Sequence, residues 1–194
     1  KAGHKGFEIE SNEYITIEED LKRRDVTINS IAIDVLENKI IDPFNGIEDI
    51  KNKVLRATSR AFLEDPLRVY RVAKLAARFG FTVEEETLNM MNSLKDELLS
   101  LSNSRVYKEL YDALSSKKPS VFFNVLRKAN VLDVHFKEIY DLIGVEQPLE
   151  YHPEGDVYNH TMEVVDRAAN KTEKVYIRFA ALVHDLRESK NAKK

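Results

Sequence analysis

Apolar residues recur every three or four positions over most of this sequence, which is typical of helices that pack one face against a core. The pattern predicts helices over residues 65–79, 83–96, 104–115, 119–129, 135–143, 159–170 and 174–187. Before residue 65, short β-branched runs predict strands at residues 14–17, 40–41 and 54–55, and a short helix leading into a strand over 26–34. The expected fold class is therefore α+β, with a β-containing N-terminal part followed by a string of helices.

Turn and capping residues indicate where several of these elements begin and end. Asp65 and Pro66 suit the N-cap and the first position of helix 65–79, and Gly80 suits its end. Thr82 followed by Glu85 has the spacing of a capping box for the next helix.

Helix 65–79 also carries a polar stripe, because three-residue steps from Asp65 reach Arg68, Arg71 and Lys74. An acid beside planar guanidinium groups offers acceptors and donors to a flat ligand such as a nucleobase, or to phosphate. The same spacing also fits a capped amphipathic helix with a solvated basic face.

The composition narrows the class of protein. The chain has 194 residues, 43% of them hydrophobic, which is enough for a core in one or two small domains. No apolar run approaches the roughly 18 residues of a membrane span, no secretory signal opens the sequence, and no Cys is present for disulfides or thiolate metal sites. These features fit a cytoplasmic protein, and a chain that opens on Lys1 is expected to be part of a longer one.

Charge is distributed unevenly. The formal net charge is −3, which does not suggest a general nucleic-acid binder. Residues 51–80, however, contain eight Lys or Arg and two acidic residues. A local basic stripe on a mildly acidic protein suits selective contact with phosphates.

Four segments carry a resemblance to a known family. Residues 20–32 contain Arg23-Arg24-Asp25 before an apolar run, and they are followed by residues 41–50, 64–79 and 104–110. In this order and spacing the set resembles the class II tRNA nucleotidyltransferases (CCA-adding enzymes) and the bacterial poly(A) polymerases. The resemblance runs over nearly the whole chain, and it is strongest to the multifunctional CCA proteins, which carry an HD domain.

The resemblance implies a division of the chain into four parts. Residues 1–57 would be the C-terminal part of a nucleotidyltransferase head, 58–118 a neck with base-selecting helices, 119–147 an RNA-binding body, and 148–194 the start of an HD phosphohydrolase domain. The last boundary follows a linker that Pro148 and Pro153 bracket.

The activity implied is addition of CCA to tRNA 3′ ends from CTP and ATP, with Mg²⁺, and the partner would be the tRNA acceptor end. In the family, the metal-binding carboxylates and a phosphate loop precede the Arg-Arg-Asp motif, and this sequence contains no Asp-x-Asp. We therefore expect no catalytic residue in this chain and no nucleotide transfer by it alone.

The resemblance also assigns nucleotide-binding residues. Arg23, Arg24 and Asp25 would contact the sugar and phosphates, since arginine is a natural phosphate ligand and a carboxylate accepts from a ribose hydroxyl. Asp65 and Arg68 would select cytosine and adenine, which both carry an amine beside a ring nitrogen, whereas guanine and uracil present a carbonyl there. Arg71 would reach phosphate or base.

The remaining motif residues have structural interpretations. Residues 42–50 resemble a hinge in which Pro43 fixes the approach and Gly46 gives backbone freedom, with residues 47–52 forming a helical turn. Lys74 stands where relatives often carry arginine. Arg105 and Glu109 are four apart and are expected to pair as a brace for the neck.

Histidines near the end of the sequence suggest a second activity. His160 lies in one predicted helix, and the pair His184-Asp185 ends an apolar one. These residues resemble the first ligands of an HD phosphohydrolase, which would bind a divalent transition metal that activates water. The family usually continues with Gly-Lys after His-Asp-Leu, whereas Arg187 follows here, and a distal Asp ligand is expected beyond this sequence. No role is assigned to His4, His135 or His152.

Three alternatives stay open. A bacterial poly(A) polymerase, or an enzyme that adds only part of CCA, shares the short motifs. A metal phosphohydrolase with a vestigial nucleotidyltransferase part fits the HD residues, and a non-catalytic RNA-binding fragment fits the chain as it stands. The sequence does not predict an oligomeric state.

Overall fold

The structure is a computed structural model that describes residues 15–146 and 155–187. Within these ranges the chain is mostly helical with short strands, as the α+β expectation requires. The elements in chain order are α1 (Ile17–Lys22), a 3₁₀ turn (Thr27–Asn29), β1 (Ala32–Asp34), β2 (Lys39–Ile41), α2 (Gly46–Asn52), β3 (Val54–Leu55), a second 3₁₀ turn (Arg60–Glu64), α3 (Arg68–Phe79), β4 (Thr82–Val83), α4 (Glu85–Ser93), α5 (Lys95–Leu98), α6 (Asn103–Leu114), α7 (Ser120–Lys128), α8 (Leu132–His135), α9 (Lys137–Tyr140), α10 (Val157–Lys171) and α11 (Val175–Val183).

The four helices predicted over residues 104–115, 119–129, 159–170 and 174–187 are confirmed as α6, α7, α10 and α11. The helix predicted over 83–96 is divided into β4, α4 and α5, and the one over 135–143 into α8, α9 and a turn. The apolar positions of these two segments are less strictly periodic, so tertiary contacts decide where the helices break. The predicted linker between Pro148 and Pro153, together with His4 and His152, lies outside the described residues.

The predicted strand at residues 14–17 is wrong for its described part, because Ile17 begins α1. Thr16 caps this helix with a capping box: its hydroxyl accepts from the Glu19 N–H, and the Glu19 carboxylate accepts from the Thr16 N–H at 2.8 Å. A β-branched run forms a stable strand only beside a neighbouring strand. A capping box, by contrast, satisfies the free N–H groups at the start of a helix with residues of the same segment.

Short strands form two small sheets. The strands β1 and β2 pair antiparallel with Ala32 opposite Ile41, and β3 and β4 pair parallel with Val54 opposite Thr82. The strands predicted at 40–41 and 54–55 and the helix-to-strand segment over 26–34 are confirmed. The capping box predicted for Thr82 is wrong, since the Thr82 N–H donates to the Lys53 carbonyl and α4 begins after Glu84.

The turn before α2 depends on a close backbone approach. A Cβ on Gly46 would lie 2.3 Å from the Thr27 carbonyl oxygen, so no side chain fits there. The Asp42 carboxylate accepts from the N–H groups of Gly46 and Ile47 at 2.7 and 2.9 Å. The glycine therefore serves contact between two segments, and the left-handed conformation of this turn falls on Asn45.

Helix α3 is the centre of the core and packs against both α6 and α7. It starts at Arg68, three residues later than predicted, and ends at Gly80, whose φ of +69° supplies the predicted stop. Its buried face includes Val69, Tyr70 and Ala76. Helices α10 and α11 pack against each other, and they contact α7 and α6 respectively. None of the helices within the described ranges combines the length and apolar character that a membrane crossing needs.

A half-buried histidine beside this core is expected to make the free energy of unfolding depend on pH. The His135 Nδ1 lies 2.7 Å from the Tyr70 hydroxyl, and burial lowers the pKa of His135. The folded state therefore favours neutral imidazole, so its contribution to the free energy of unfolding is present above about pH 6.5 and is lost as the pH falls below this unfolded-state pKa.

We expect the free energy of unfolding, measured by urea titration at pH values from 8 to 5, to fall below about pH 6.5 by at most about 1.4 kcal/mol per pH unit for one proton. The His135→Gln variant should show a flatter profile, since the other histidines titrate in both proteins. Identical slopes in the two proteins would contradict this role for His135.

Candidate functional site

A cleft of about 620 Å³ opens between the end of α1 and the start of α3. Five of the six residues predicted to bind a nucleotide line it, and Asp65 is the exception. The lining residues are Asp20, Arg23, Arg24, Asp25, Asn29, Glu64, Arg68 and Arg71. The fold thus brings together two sequence segments that lie about 40 residues apart.

Arg23 and Arg24 are held at the cleft by Asp20. The Arg23 Nε donates to Asp20 Oδ1 at 2.8 Å, and Arg24 Nη2 lies 3.4 Å from Oδ2. The hydrogen bond from Arg23 lowers the pKa of Asp20, with Arg24 contributing in the same direction. The two arginines are 72% and 47% exposed, so they remain accessible to an anionic ligand.

Asp25 is a buried carboxylate beside the cleft, with 3% of the residue exposed. Its Oδ1 accepts from the Val26 N–H at 2.9 Å and from the Asn29 side-chain amide at 3.0 Å. Its Oδ2 lies 2.9 Å from Arg71 Nη2, a charge contact without hydrogen-bond geometry. A buried carboxylate oxygen is costly without a donor, so Oδ2 is suited to accept a hydrogen bond from a ligand.

Arg68 joins the two walls of the cleft through backbone contacts. Its Nη1 donates to the Ala61 carbonyl and its Nη2 to the Arg23 carbonyl. Burial lowers the pKa of Arg68, and the neighbouring charges of Asp65 and Asp25 oppose that shift. With five donors in a planar guanidinium, the side chain can hold these carbonyls and still face a ligand.

Asp65 sits at the turn before α3 and outside the cleft lining. Its Oδ1 accepts from the Leu67 N–H at 3.1 Å, so it caps the turn rather than α3 itself. The same oxygen lies 3.6 Å from Arg105 Nη2, which comes from α6.

The expected pair of Arg105 with Glu109 is therefore wrong. Arg105 contacts Asp65, and Glu109 lies 2.5 Å from the Lys74 Nζ. Lys74 also lies 3.4 Å from Asp112, so its charge is directed to α6 and away from the cleft. The reason is that α3 packs directly on α6 and brings closer partners than the neighbouring turn does.

The basic stretch over residues 51–80 is partly neutralised in the fold. Arg56 contacts Asp49 and Glu84, and Lys51 lies 3.7 Å from Glu48. Arg68 and Arg71 are the members of this stretch that line the cleft. The fold therefore brings two arginines of this stretch to the cleft, where Arg23 and Arg24 also lie.

A second cluster joins His160 of α10 to His184 and Asp185 after α11. The ligand atoms of the three residues lie within 4.8 Å of one another. His184 Nε2 is 3.0 Å from Asp185 Oδ2, and His160 Nε2 is 3.7 Å from it. His184 Nδ1 lies 2.8 Å from the Ala181 carbonyl, so it carries the proton and Nε2 presents its lone pair to the cluster. Two imidazoles and a carboxylate fit a divalent transition metal.

Three residues of the cleft and one at the junction of α6, α10 and α11 were not predicted from the sequence. Asp20, Asn29 and Glu64 line the cleft. Of these, only Asp20 has a local signal in the sequence, which is its spacing of three and four residues from Arg23 and Arg24.

The fourth residue is Arg178 of α11, which is 4% exposed. It donates to the main-chain carbonyls of Leu114, Ser116, Ala169 and Thr172. Its position as a single Arg in an otherwise apolar helix is the feature of the sequence that could have indicated its burial.

Two family models match the chain. One is described as the poly A polymerase head domain and covers residues 3–56. The other is described as the probable RNA and SrmB-binding site of polymerase A and covers residues 80–142. The first includes the Arg23-Arg24-Asp25 wall of the cleft.

Relatives of known description resemble the chain over almost its whole length. The multifunctional CCA protein of Shewanella denitrificans is 49% identical over 189 residues, which are 95% of this chain and 46% of that protein. The multifunctional CCA protein of Psychromonas ingrahamii is 46% identical over 190 residues, again 95% of this chain and 46% of the relative. The chain thus spans about half the length of these relatives.

Solved structures share the fold. A tRNA-processing enzyme with CTP is 27% identical with a TM-score of 0.65, and the match covers 91% of this chain and 50% of that one. An apo form of a CCA-adding enzyme is 25% identical with a TM-score of 0.67, over 94% and 44% of the two chains. The arrangement of short strands and helices described above therefore recurs in enzymes with these descriptions.

Proposed function

The chain belongs to the family of tRNA nucleotidyltransferases and poly(A) polymerases, and from this premise we propose that its protein adds CCA to tRNA 3′ ends. CTP and ATP would be the nucleotide substrates, and the tRNA acceptor end the partner. The observation that carries the proposal is the cleft in which buried Asp25 faces Arg71 and Arg68. Its cationic rim suits a triphosphate, and its buried carboxylate oxygen suits a sugar hydroxyl. A protein with these substrates is expected in the cytoplasm.

In the proposed reaction, the terminal ribose hydroxyl of the tRNA attacks the α-phosphate of the nucleotide, and pyrophosphate leaves. Arg23 and Arg24 would hold phosphate oxygens, while Asp25 Oδ2 accepts a hydrogen bond from the nucleotide ribose. Arg71 balances the Asp25 charge and reaches toward the cleft. Together these groups fix the nucleotide in place, which is the main protein contribution to phosphoryl transfer.

The transfer is expected to require Mg²⁺, which would neutralise phosphate charge. Of the three carboxylates lining the cleft, Asp20 and Asp25 already face arginines and so do not fit as its ligands, and Glu64 alone does not make up the pair of carboxylates expected for nucleotidyl transfer. We therefore assign the metal carboxylates to other residues of the full-length protein and derive no step through the metal from this chain.

Base selection is proposed for Asp65 and Arg68 at the start of α3. Arg68 donates from a rigid plane, and Asp65 accepts from the exocyclic amine of cytosine or adenine. Uracil and guanine place a carbonyl where that amine would be, which leaves these partly buried partners unsatisfied.

The proposal is tested with the full-length protein, tRNA lacking CCA, Mg²⁺, and labelled CTP and ATP supplied singly and together. Sequencing of the products should show addition that stops after CCA. Long A tails would instead identify a poly(A) polymerase. No incorporation, with tRNA still bound, would favour a non-catalytic RNA-binding role.

A metal-dependent phosphohydrolase is a second candidate activity, favoured by the convergence of His160, His184 and Asp185. When bound there, a divalent metal would supply an activated water for phosphoester hydrolysis. The protein's own contribution would be to present two imidazole nitrogens and one carboxylate oxygen. The Ala181 carbonyl would keep His184 in the tautomer that binds metal.

We expect Co²⁺ titrated into the protein to bind with one equivalent at this cluster. His160→Ala or Asp185→Asn should weaken binding about tenfold or more, because each removes one of three ligands. Isothermal titration calorimetry and the visible absorption of bound Co²⁺ would report both effects. His135→Gln, a change at a histidine outside the cluster, serves as the control, and equal affinity in all variants would refute the site.

A further inference from the structure

Two grooves meet at the loop between α6 and α7, and lysines line both of them. The first groove, of about 370 Å³, runs along α7 and is lined by Lys118 and Lys128 over a largely apolar floor. The second, of about 870 Å³, lies between the loop and the end of α10 and is lined by Lys117 and Lys171. Because Lys117 and Lys118 are adjacent in the chain, the grooves adjoin, and the four residues form one lysine surface.

The charge of the lysine surface is available to a ligand. All four lysines are exposed, and within the described ranges no acidic side chain forms an ion pair with any of them. Lys74, Lys95 and Lys137, by contrast, each contact an acidic residue. Of the other charged residues that line the two grooves, Glu173 is the one acid, and Arg178 directs its donors to main-chain carbonyls.

The lysine surface lies at the opposite end of α3 from the cleft assigned to the nucleotide. Arg68 and Arg71, at the start of α3, line that cleft, whereas Gly80, which ends α3, lines the first groove. A helix rises 1.5 Å per residue, so the 12 residues of α3 separate the two sites by about 18 Å. A single nucleotide is too short to contact both, and a ligand that does so must be an extended anion.

The arrangement of the charges fits a chain of phosphates. Lys118 and Lys128 are separated by about 15 Å along the axis of α7, so their charges are spread along the groove instead of surrounding one anion. Lysine is a point charge on a flexible stem, which contacts phosphate without reading a base. The backbone of an RNA strand presents one negative charge per nucleotide along such a path.

We propose that the lysine surface binds the phosphate backbone of the tRNA stem while the 3′ end of the tRNA occupies the nucleotide cleft. This inference rests on the proposed function, which supplies the tRNA. The contact is independent of sequence, since phosphate contacts position a nucleic acid and carry no base information. Lys171 belongs to α10, so this helix takes part in holding the RNA together with the loop before α7 and with α7 itself.

The test measures the Kd of the full-length protein for tRNA lacking CCA by fluorescence anisotropy, at about 50 to 300 mM salt. The variants are Lys117→Gln with Lys171→Gln, and Lys118→Gln with Lys128→Gln. Each phosphate contact adds about one to the slope of log Kd against log salt concentration, so each double variant should lower that slope by about two. The Kd at the lowest salt concentration should rise about tenfold or more.

The matched control is Lys51→Gln with Lys137→Gln, which removes the same charge from two lysines that pair with Glu48 and Asp141. It should keep the wild-type slope. In steady-state kinetics the lysine-surface variants should raise KM for tRNA, while KM for CTP and kcat at saturating tRNA stay at wild-type values. A structural role would instead lower the thermal midpoint and kcat together.

An unchanged salt slope in both double variants, or an equal fall in the control, would overturn the inference. Pyrophosphate that abolishes the difference in tRNA affinity between wild type and variants would assign these lysines to a small anion instead. Failure of the proposed function is distinguishable, because the wild-type protein would then add no nucleotide to tRNA. Failure of this inference alone leaves CCA addition intact and the slope unchanged.

Discussion

An Arg68→Ala variant of the full-length protein is expected to lose about two to four orders of magnitude in kcat/KM for both CTP and ATP. The side chain makes charge-assisted hydrogen bonds to the carbonyls of Ala61 and Arg23, and its guanidinium faces the cleft. A charge-assisted hydrogen bond to the nucleotide contributes about 1.5–3 kcal/mol, and the backbone bonds of Arg68 fix the Arg23 wall that would hold the phosphates, so losing both accounts for this range. The loss also separates the Arg23 wall of the cleft from α3.

Arg68→Lys separates the charge of this residue from its geometry. Lysine keeps the positive charge but presents a single point, so it cannot hold two carbonyls and a base together. We expect the variant to keep nucleotide binding and to misincorporate UTP, as measured by single-nucleotide addition to tRNA lacking CCA.

Arg78→Ala is the control for Arg68, since it removes an arginine from the other end of α3, where it lies over the Phe79 ring. Wild-type rates are expected for this control. If Arg68→Ala also retained wild-type selectivity, the cleft would not be the base-reading site.

An Arg178→Met variant is expected to lose about 3–5 kcal/mol of the free energy of unfolding. Arg178 is 4% exposed and donates to four main-chain carbonyls, two after α6 or at its end and two near the end of α10. Methionine fills similar volume but leaves these carbonyls without their donor, and buried acceptors without partners are costly. Urea unfolding of the 194-residue chain measures the difference.

Arg167→Met is the matched control, because Arg167 is 68% exposed and pairs with Glu163 on the surface of α10. Its replacement should cost less than about 1 kcal/mol. Arg178→Lys should lie between the two, since an ammonium group reaches fewer of the carbonyls. A loss below about 1 kcal/mol for Arg178→Met would mean that water replaces the guanidinium at this junction.

Helices with strict apolar periodicity were predicted well from the sequence. Helices α6, α7 and α10 follow the predicted ranges within a few residues, because their periodic apolar faces fit one packing arrangement. Residues 14–17 and 83–96 were predicted less well. There, a capping hydroxyl at Thr16 and a backbone pairing of Thr82 with Lys53 outweighed side-chain preference.

The candidate site, too, was predicted only in part. The residue types of the cleft could be recognised in the sequence, since Arg23, Arg24 and Asp25 are adjacent and Arg68 and Arg71 are three apart. Which acidic residue each of these arginines contacts could not be predicted from the sequence. Asp25 meets Arg71, Asp65 meets Arg105, and Lys74 meets Glu109, each across 35 or more positions, in place of the local pair expected for Arg105.

The amino-acid sequence alone was enough to predict most of the long helices, the fold class and the family motifs, because periodicity, caps and turns act over a few neighbouring residues. The tertiary structure decided which charges neutralise one another, which carboxylate oxygen faces the cleft, and why Arg178 is buried. Those outcomes depend on how α3, α6, α10 and α11 pack, and packing brings together groups whose separation along the chain carries no signal of their contact.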